Sequence, residues 1–155
     1  MANKRLKPLE LHEQPGHLVR RLQQAHKLLW AERVLDDLTS PQFAVLNVLE
    51  QSPGIDQRSL AELVGMDRST IAEIAQRLVS RGLVIKGKDA IDGRRNILHL
   101  STEGTALLRQ TLPAAARVSK ELVEVLRVQD RREFLRILKL LVDAHSHRLS
   151  DISAS

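Results

Sequence analysis

Residues 56–104 hold the pattern that most narrows what this chain can fold into. Asp56 and Asp67 each stand ahead of a short run with apolar residues at helical spacing, and Gly65 lies between the two runs. An aspartate in that place caps a helix by accepting from a backbone N–H of its first turn. Glycine enters the left-handed region at little cost, so Gly65 supplies a tight turn. The first run spans residues 57–64, with Leu60, Ala61 and Val64 inward. The second runs from Asp67 to about Arg81, with Ile71, Ile74, Ala75, Leu78 and Val79 inward, and Gly82 ends it. Two strand candidates follow, 83–86 and 96–100. The polar stretch between them, 87–95, carries Asp92-Gly93 as its turn signal, with Gly93 permitting a tight tip.

Two short helices and an arginine-tipped hairpin predict a winged helix-turn-helix. The rest of the chain reads as helix. Residues 1–14 form a flexible basic tail. Pro15-Gly16 opens a helix over 17–35, closed by Asp36-Asp37, with Leu18, Leu22, Ala25, Leu28 and Leu29 at helical spacing. Thr39, Pro41 and Gln42 are placed as in a capping box ahead of Phe43, Leu46, Val48 and Leu49, and Ser52-Pro53-Gly54 ends that helix. Two long helices occupy about 102–126 and 130–149, and Pro113 is expected to kink or locally break the first. The fold class is thus mainly α with a small β-hairpin wing. The organisation is a first helix over 15–37, a DNA-binding lobe over 38–102, two last helices over 103–149 and a tail over 150–155. Trp30, Phe43 and Phe134 are the only large aromatics, so the core rests on Leu, Val, Ile and Ala, which suits helices packed on helices.

The charge and the outward residues together point to double-stranded DNA. The formal net charge is +5, which favours a polyanion without saying which. On the second helix of the pair, Arg68, Ser69, Thr70, Glu73, Gln76 and Arg77 lie opposite the apolar face. Arg68 can donate to guanine or phosphate, Gln76 can read adenine, and Ser69 and Thr70 suit phosphate or a thymine methyl. Free N–H groups at the helix start favour a phosphate there. Glu73 either accepts from cytosine N4 or only orients Arg77 one turn on. Arg94 is the candidate for insertion into the narrow, negative minor groove. Arg95 joins the DNA-binding set, and Asp92 should orient an arginine rather than touch phosphates. Lys4, Arg5 and Lys7 either touch phosphate or stay in a solvated tail.

The run 92–104, Asp-Gly-Arg-Arg-Asn-Ile-Leu-His-Leu-Ser-Thr-Glu-Gly, resembles the wing motif of MarR-type transcriptional regulators. Arg68-Ser69-Thr70-Ile71, the run 78–84 and the run 38–43 are similar to the recognition helix, its exit and the start of the second helix in that family. The resemblance covers nearly the whole chain. It implies a homodimer held by the first and last two helices, and a small ligand that often releases DNA. Family members often carry Arg, Asn or another polar donor where Glu73 stands, so no operator sequence carries over. Pro15-Gly16-His17-Leu18-Val19-Arg20-Arg21 is similar to a branch controlling catabolism of aromatic acids, of hydroxynicotinate and hydroxybenzoate types.

A small aromatic carboxylate is therefore the expected effector. His17, Arg20 and Arg21 could form its carboxylate site, because a guanidinium matches a carboxylate in a bidentate fork, and Trp30 or Phe43 could supply an apolar wall. The same three residues could instead solvate a helix face or pair across a dimer. Two function classes stay open: a homodimeric, ligand-responsive repressor on a pseudo-palindromic operator, or a ligand-independent architectural DNA binder or protein-interaction module. An enzyme is not expected: there is no Gly-rich phosphate loop, metal-ligand spacing or Ser/His/Asp set. Zero cysteines exclude disulfides, thiolate catalysis and cysteine-held zinc. His145 and His147 are two apart and do not share a helix face, so no metal or cofactor is expected. No apolar run approaches the ~20 residues of a membrane span, and no apolar region follows the basic start, which makes the cytoplasm the expected location.

Overall fold

The computed structural model describes residues 8–35 and 37–154, with side chains to residue 146. Six helices and three short strands follow in order. They are α1 (Pro15–Arg33), α2 (Ser40–Gln51), β1 (Ile55–Asp56), α3 (Gln57–Val64), α4 (Arg68–Ser80), β2 (Val84–Lys88), β3 (Asn96–Leu100), α5 (Thr102–Glu121) and α6 (Val128–Ala154). The sheet is antiparallel in the order β1-β3-β2, with Val84 opposite Leu100 and Asp56 opposite Ile97. Among the described residues no helix is long and apolar enough to cross a membrane. Lys4, Arg5, Lys7, Asp36 and the side chain of His147 lie outside the described residues.

Local chemistry sets the helix ends. The Thr39 hydroxyl accepts from the Gln42 N–H at 3.3 Å, and the Gln42 amide oxygen accepts from the Thr39 N–H at 3.1 Å, completing a capping box. Asp56 and Asp67 cap α3 and α4 through the N–H groups of Ser59 and Thr70. Gly65 closes α3 with φ 72°. Leu46, Leu49, Leu60, Ile71, Leu78, Leu98 and Leu108 fill one continuous core, which also takes Trp30 from α1 and Val34 just past its end. Apolar faces of α1 and α6 stay uncovered within the chain, including Leu18, Leu28, Leu140 and Leu141.

Several expectations need correction. A 3-10 turn, Leu11–Glu13, forms inside the stretch expected to be a flexible tail. The wing has a third strand, β1, which two residues are too few to announce in a sequence. Helix α5 runs unbroken through Pro113 and ends at Glu121 rather than near 126. The ring of Pro113 faces solvent on α5, and two residues earlier the buried Thr111 hydroxyl donates to the Leu107 carbonyl at 2.8 Å. Past Glu121 the chain turns, and the Arg131 guanidinium donates to the carbonyls of Glu124 and Leu126. Gly93 lies outside the left-handed region and a Cβ there would meet nothing within 4 Å, so the tip does not need glycine.

The junction of wing and α5 is the tightest contact in the lobe. The Ser101 hydroxyl donates to the Gly82 carbonyl at 2.6 Å and accepts from the Gly104 N–H at 2.9 Å, while the Ser101 N–H donates to the Leu83 carbonyl at 3.1 Å. A Cβ on Gly104 would sit 2.0 Å from the Leu83 carbonyl oxygen. Gly104→Ala must therefore push α5 away from the strand, an overpacking cost of about 3 kcal/mol. Urea denaturation should show a lower midpoint for this variant, and an unchanged midpoint would mean that the contact relaxes freely.

Candidate nucleic-acid interface

Helix α4 turns Ile71, Ala75 and Leu78 into the core and leaves Arg68, Ser69, Glu73, Gln76 and Arg77 exposed, with Thr70 half-buried. The spacing of the apolar residues dictates this: with one face buried at every third or fourth residue, the polar side chains must share the opposite face. At the start of the helix Asp67 accepts the Thr70 N–H at 2.8 Å and the hydroxyls of Ser69 and Thr70 at 2.5 and 2.6 Å. Those hydroxyls, then the Thr70 N–H, hold the Asp67 carboxyl well below the usual carboxylate range. With their protons committed to Asp67, Ser69 and Thr70 face outward as acceptors, and a phosphate has only acceptors to offer them.

Glu73 and Arg77 do not pair. Among the described residues no ion pair joins them, although they are four apart on one helix. The intrahelical role offered for Glu73 is therefore absent in the free chain, and both charged groups stay on the exposed face.

The wing tip is a seven-residue loop, 89–95, built by two aspartates. Asp89 accepts the N–H groups of Ile91 at 2.8 Å and Asp92 at 3.2 Å, which lowers its pKa. Asp92 accepts the Arg94 N–H on its side chain at 3.1 Å and the Arg95 N–H on its carbonyl at 2.9 Å. Asp92 thus orders the backbone under Arg94 and orients no guanidinium, contrary to the expectation. The carboxylate that does hold an arginine is Asp56, which receives the Arg95 guanidinium from 39 residues away. The Ser59 N–H first, and then the Arg95 and Ser59 side chains, pull the Asp56 carboxyl from 3.8 down to about 2. Among the described residues the Arg94 guanidinium has no partner.

The residues expected around an effector fall into two groups within the chain, His17, Arg20 and Arg21 in one and Trp30 with Phe43 in the other. His17, Arg20 and Arg21 lie near the start of α1, where the Arg20 guanidinium meets His17 Nδ1 at 3.1 Å. Trp30 is thirteen residues after His17 and nine after Arg21, roughly 20 and 14 Å along the helix axis at ~1.5 Å per residue. Trp30 instead borders a cleft of about 860 Å³ between α1 and the segment leading into α2, with His26, Lys27, Asp37, Leu38 and Thr39 also lining it. The indole N–H donates to the Leu38 carbonyl at 2.6 Å, which fixes the ring in the wall. The His26 ring lies 6.1 Å from the indole, and Phe43 packs behind it at 5.3 Å without lining the cleft. His26 and Lys27 were not singled out in the sequence. Their positions four and three residues before Trp30, on the same helix face, were the available signal.

Residues 36–95 match the model of the MarR family. Transcriptional regulator HosA of Escherichia coli is 32% identical over 135 residues, spanning 87% of this chain and 99% of that protein. The chain belongs to the MarR family. It is a winged helix-turn-helix transcriptional regulator and not an enzyme. The crystal structure of the PcaV regulator from Streptomyces coelicolor in complex with its natural ligand superposes with a TM-score of 0.84. It is 45% identical to this MarR-family chain, over 90% of this chain and 99% of that one. The transcriptional repressor CouR bound to a 23-mer DNA duplex superposes at 0.79 with 30% identity, over 90% and 99%.

The Asp56 carboxyl also sets a pH dependence. Its pKa is depressed by folding, so the stability it contributes is full above about 4 and lost as pH falls through about 2. Asp56→Asn keeps a capping oxygen but removes the charge. Urea midpoints measured from pH 6 down to pH 2 should show wild type above Asp56→Asn at neutral pH, with the gap closing towards pH 2. A gap independent of pH would mean that charge at Asp56 contributes nothing.

Proposed function

We propose that this chain is a cytoplasmic, homodimeric repressor that binds a pseudo-palindromic operator and is released by a small aromatic carboxylate. The observation that carries the DNA half is the unpartnered Arg94 guanidinium at an ordered wing tip, beside an α4 face bearing Arg68, Gln76 and Arg77. Helix α4 reads the major groove and Arg94 enters the flanking minor groove. Glu73 faces the same groove and suits a cytosine N4. Ser69 and Thr70 belong to the interface through their position at the helix start, as acceptors. CouR bound to duplex DNA supports this placement through its likeness in fold and sequence.

Dimerisation through α1, α5 and α6 is supported by the uncovered apolar faces, among them Leu28 at 66% and Leu140 at 58% exposed. Apolar surface of this extent in a water-exposed helix seeks a partner. Two lobes on a two-fold axis require half-sites about one helical turn apart, ~34 Å.

The effector reading moves from the start of α1 to the cleft beside Trp30. Its volume suits a small molecule. The indole offers a flat apolar wall, and Lys27 and His26 offer cationic or hydrogen-bonding groups for a carboxylate. Within one chain, His17, Arg20, Arg21 and Phe43 stand outside it. PcaV in complex with its natural ligand supports a ligand-responsive chain. Release needs a ligand with different affinity for the DNA-bound and free arrangements, since equal affinity shifts nothing.

Fluorescence anisotropy on DNA selected by the protein from a random duplex pool tests the first half. Wild type should bind selectively with a steep salt dependence. Arg94→Ala should bind ~10-fold more weakly, with a salt slope lower by about 0.9. Unchanged affinity and slope would remove Arg94 from the interface. Trp30 is the single tryptophan, so its emission reports the cleft directly. A panel of hydroxybenzoates and hydroxynicotinates should yield a ligand that changes this emission and weakens DNA binding. Lys27→Met should then weaken that ligand roughly tenfold, the loss of one charge-assisted contact. DNA binding that no acid disturbs would sink the effector reading alone.

A further inference from the structure

We propose that Arg95 is not a second DNA contact but the positioning residue of Arg94, and that Asp56 at the head of α3 is the anchor it requires. The inference rests on the DNA-binding reading above and goes beyond it by giving the two neighbouring arginines different jobs.

Arg94 and Arg95 are adjacent and exposed in the turn that leads into β3. One of the pair turns back to the lobe and the other projects away from it. Arg95 turns back, placing its guanidinium on the Asp56 carboxylate. Its main chain closes the loop at the same point: its N–H donates to the Asp92 carbonyl at 2.9 Å, and its carbonyl accepts the Asp89 N–H at 3.0 Å. Arg95 therefore ties both arms of the tip to each other and the tip to α3. Arg94 sits between these ties, its own N–H held by Asp92 at 3.1 Å and its side chain unpartnered among the described residues.

The alternative, Arg95 swinging out to a phosphate, works against the site. The Asp56 side chain is only 17% exposed. Withdrawing Arg95 leaves that carboxylate without its counter-charge, and a partly buried unpaired charge is costly. It would also release the loop that aims Arg94. Asp56 is also held from within its own helix, by the Ser59 N–H and hydroxyl, each at 3.0 Å. Its own backbone pairs with Ile97 of β3. The anchor is fixed by the helix it caps and by the strand that carries the wing.

A double-mutant cycle on the self-selected duplex tests this, using Arg94→Ala, Arg95→Met, Asp56→Asn and the combinations with Arg94→Ala. Asn caps a helix about as well as Asp, so Asp56→Asn removes the anchor and keeps the cap. Asp56→Asn and Arg95→Met should each weaken binding roughly five- to twentyfold, much as Arg94→Ala does. Added to Arg94→Ala they should weaken it no further, because they act through Arg94. Preference for A·T over G·C in the flanking minor groove should vanish in all three single variants, while discrimination at the major-groove bases persists. In the Arg94→Ala background, Arg95→Met should leave the salt slope unchanged.

A further drop in slope of about 0.9 in that background would make Arg95 a phosphate contact and overturn the proposal. Wild-type affinity in Asp56→Asn would overturn it as well. Amide hydrogen exchange without DNA separates the two layers of the argument. Asp56→Asn and Arg95→Met should speed exchange at the N–H groups of Asp89 and Arg95 and leave α4 unchanged. Faster exchange together with no selective binding by wild type would fail the DNA reading and leave the anchor standing. Unchanged exchange would remove the anchor whatever the DNA data give.

Discussion

The lobe depends on the contact between Gly104 and the Leu83 carbonyl, secured by the two-way bond of Ser101. Four parts of the chain meet there: the exit of α4, the residue just before β2, the last of β3 and the first turn of α5. Because the backbone of α5 lies directly on the strand, the wing cannot tilt without moving that helix. The exposed polar face of α4 and the tip of the wing are therefore held in one frame, although thirteen residues lie between Ser80 and Arg94. The frame uses no large side chain. It needs a residue with no Cβ and a hydroxyl that can donate and accept at once, which is the physical content of the Ser-Thr-Glu-Gly run.

What could be read from the sequence was local. Thr39 with Gln42, Asp56 with Ser59 and Asp67 with Thr70 are contacts three residues apart, and the turn at Gly65 is a property of one residue. Each announces itself in a short window, so the boundaries of α2, α3 and α4 fall where the capping chemistry puts them. The apolar stripe of α4 follows from the same arithmetic, and it delivers the polar face by subtraction. The family resemblance added the pairing of that face with the wing.

What stayed hidden was set by distance along the chain or by competition between partners. Strand β1 exists because Ile55 and Asp56 find Leu98 and Ile97, more than forty residues away. Asp92 looked like the natural carboxylate for a neighbouring arginine, but its Oδ1 accepts the Arg94 N–H of the tip's own backbone, and Arg95 reaches Asp56 instead. Glu73 and Arg77 had the right spacing for a pair, yet two solvated charges gain little from meeting. Pro113 was expected to kink or locally break α5, and the helix continues past it without a break from Thr102 to Glu121. The cleft beside Trp30 is lined by residues of the one stretch 23–41, but its shape comes from how α1 meets the segment before α2, which helical spacing alone does not state.

One consequence of the double duty of Asp56 concerns how the free protein breathes. The same carboxylate ends a helix and holds a hairpin, so the wing does not swing as an independent flap over a rigid lobe. Opening the hairpin strips a counter-charge from the head of α3, and fraying α3 unseats the hairpin, which makes the two a single cooperative unit of local unfolding. A chain searching along DNA thus carries a wing that is either set or unset, with few intermediate poses. The entropy of ordering the backbone under Arg94 is then spent during folding.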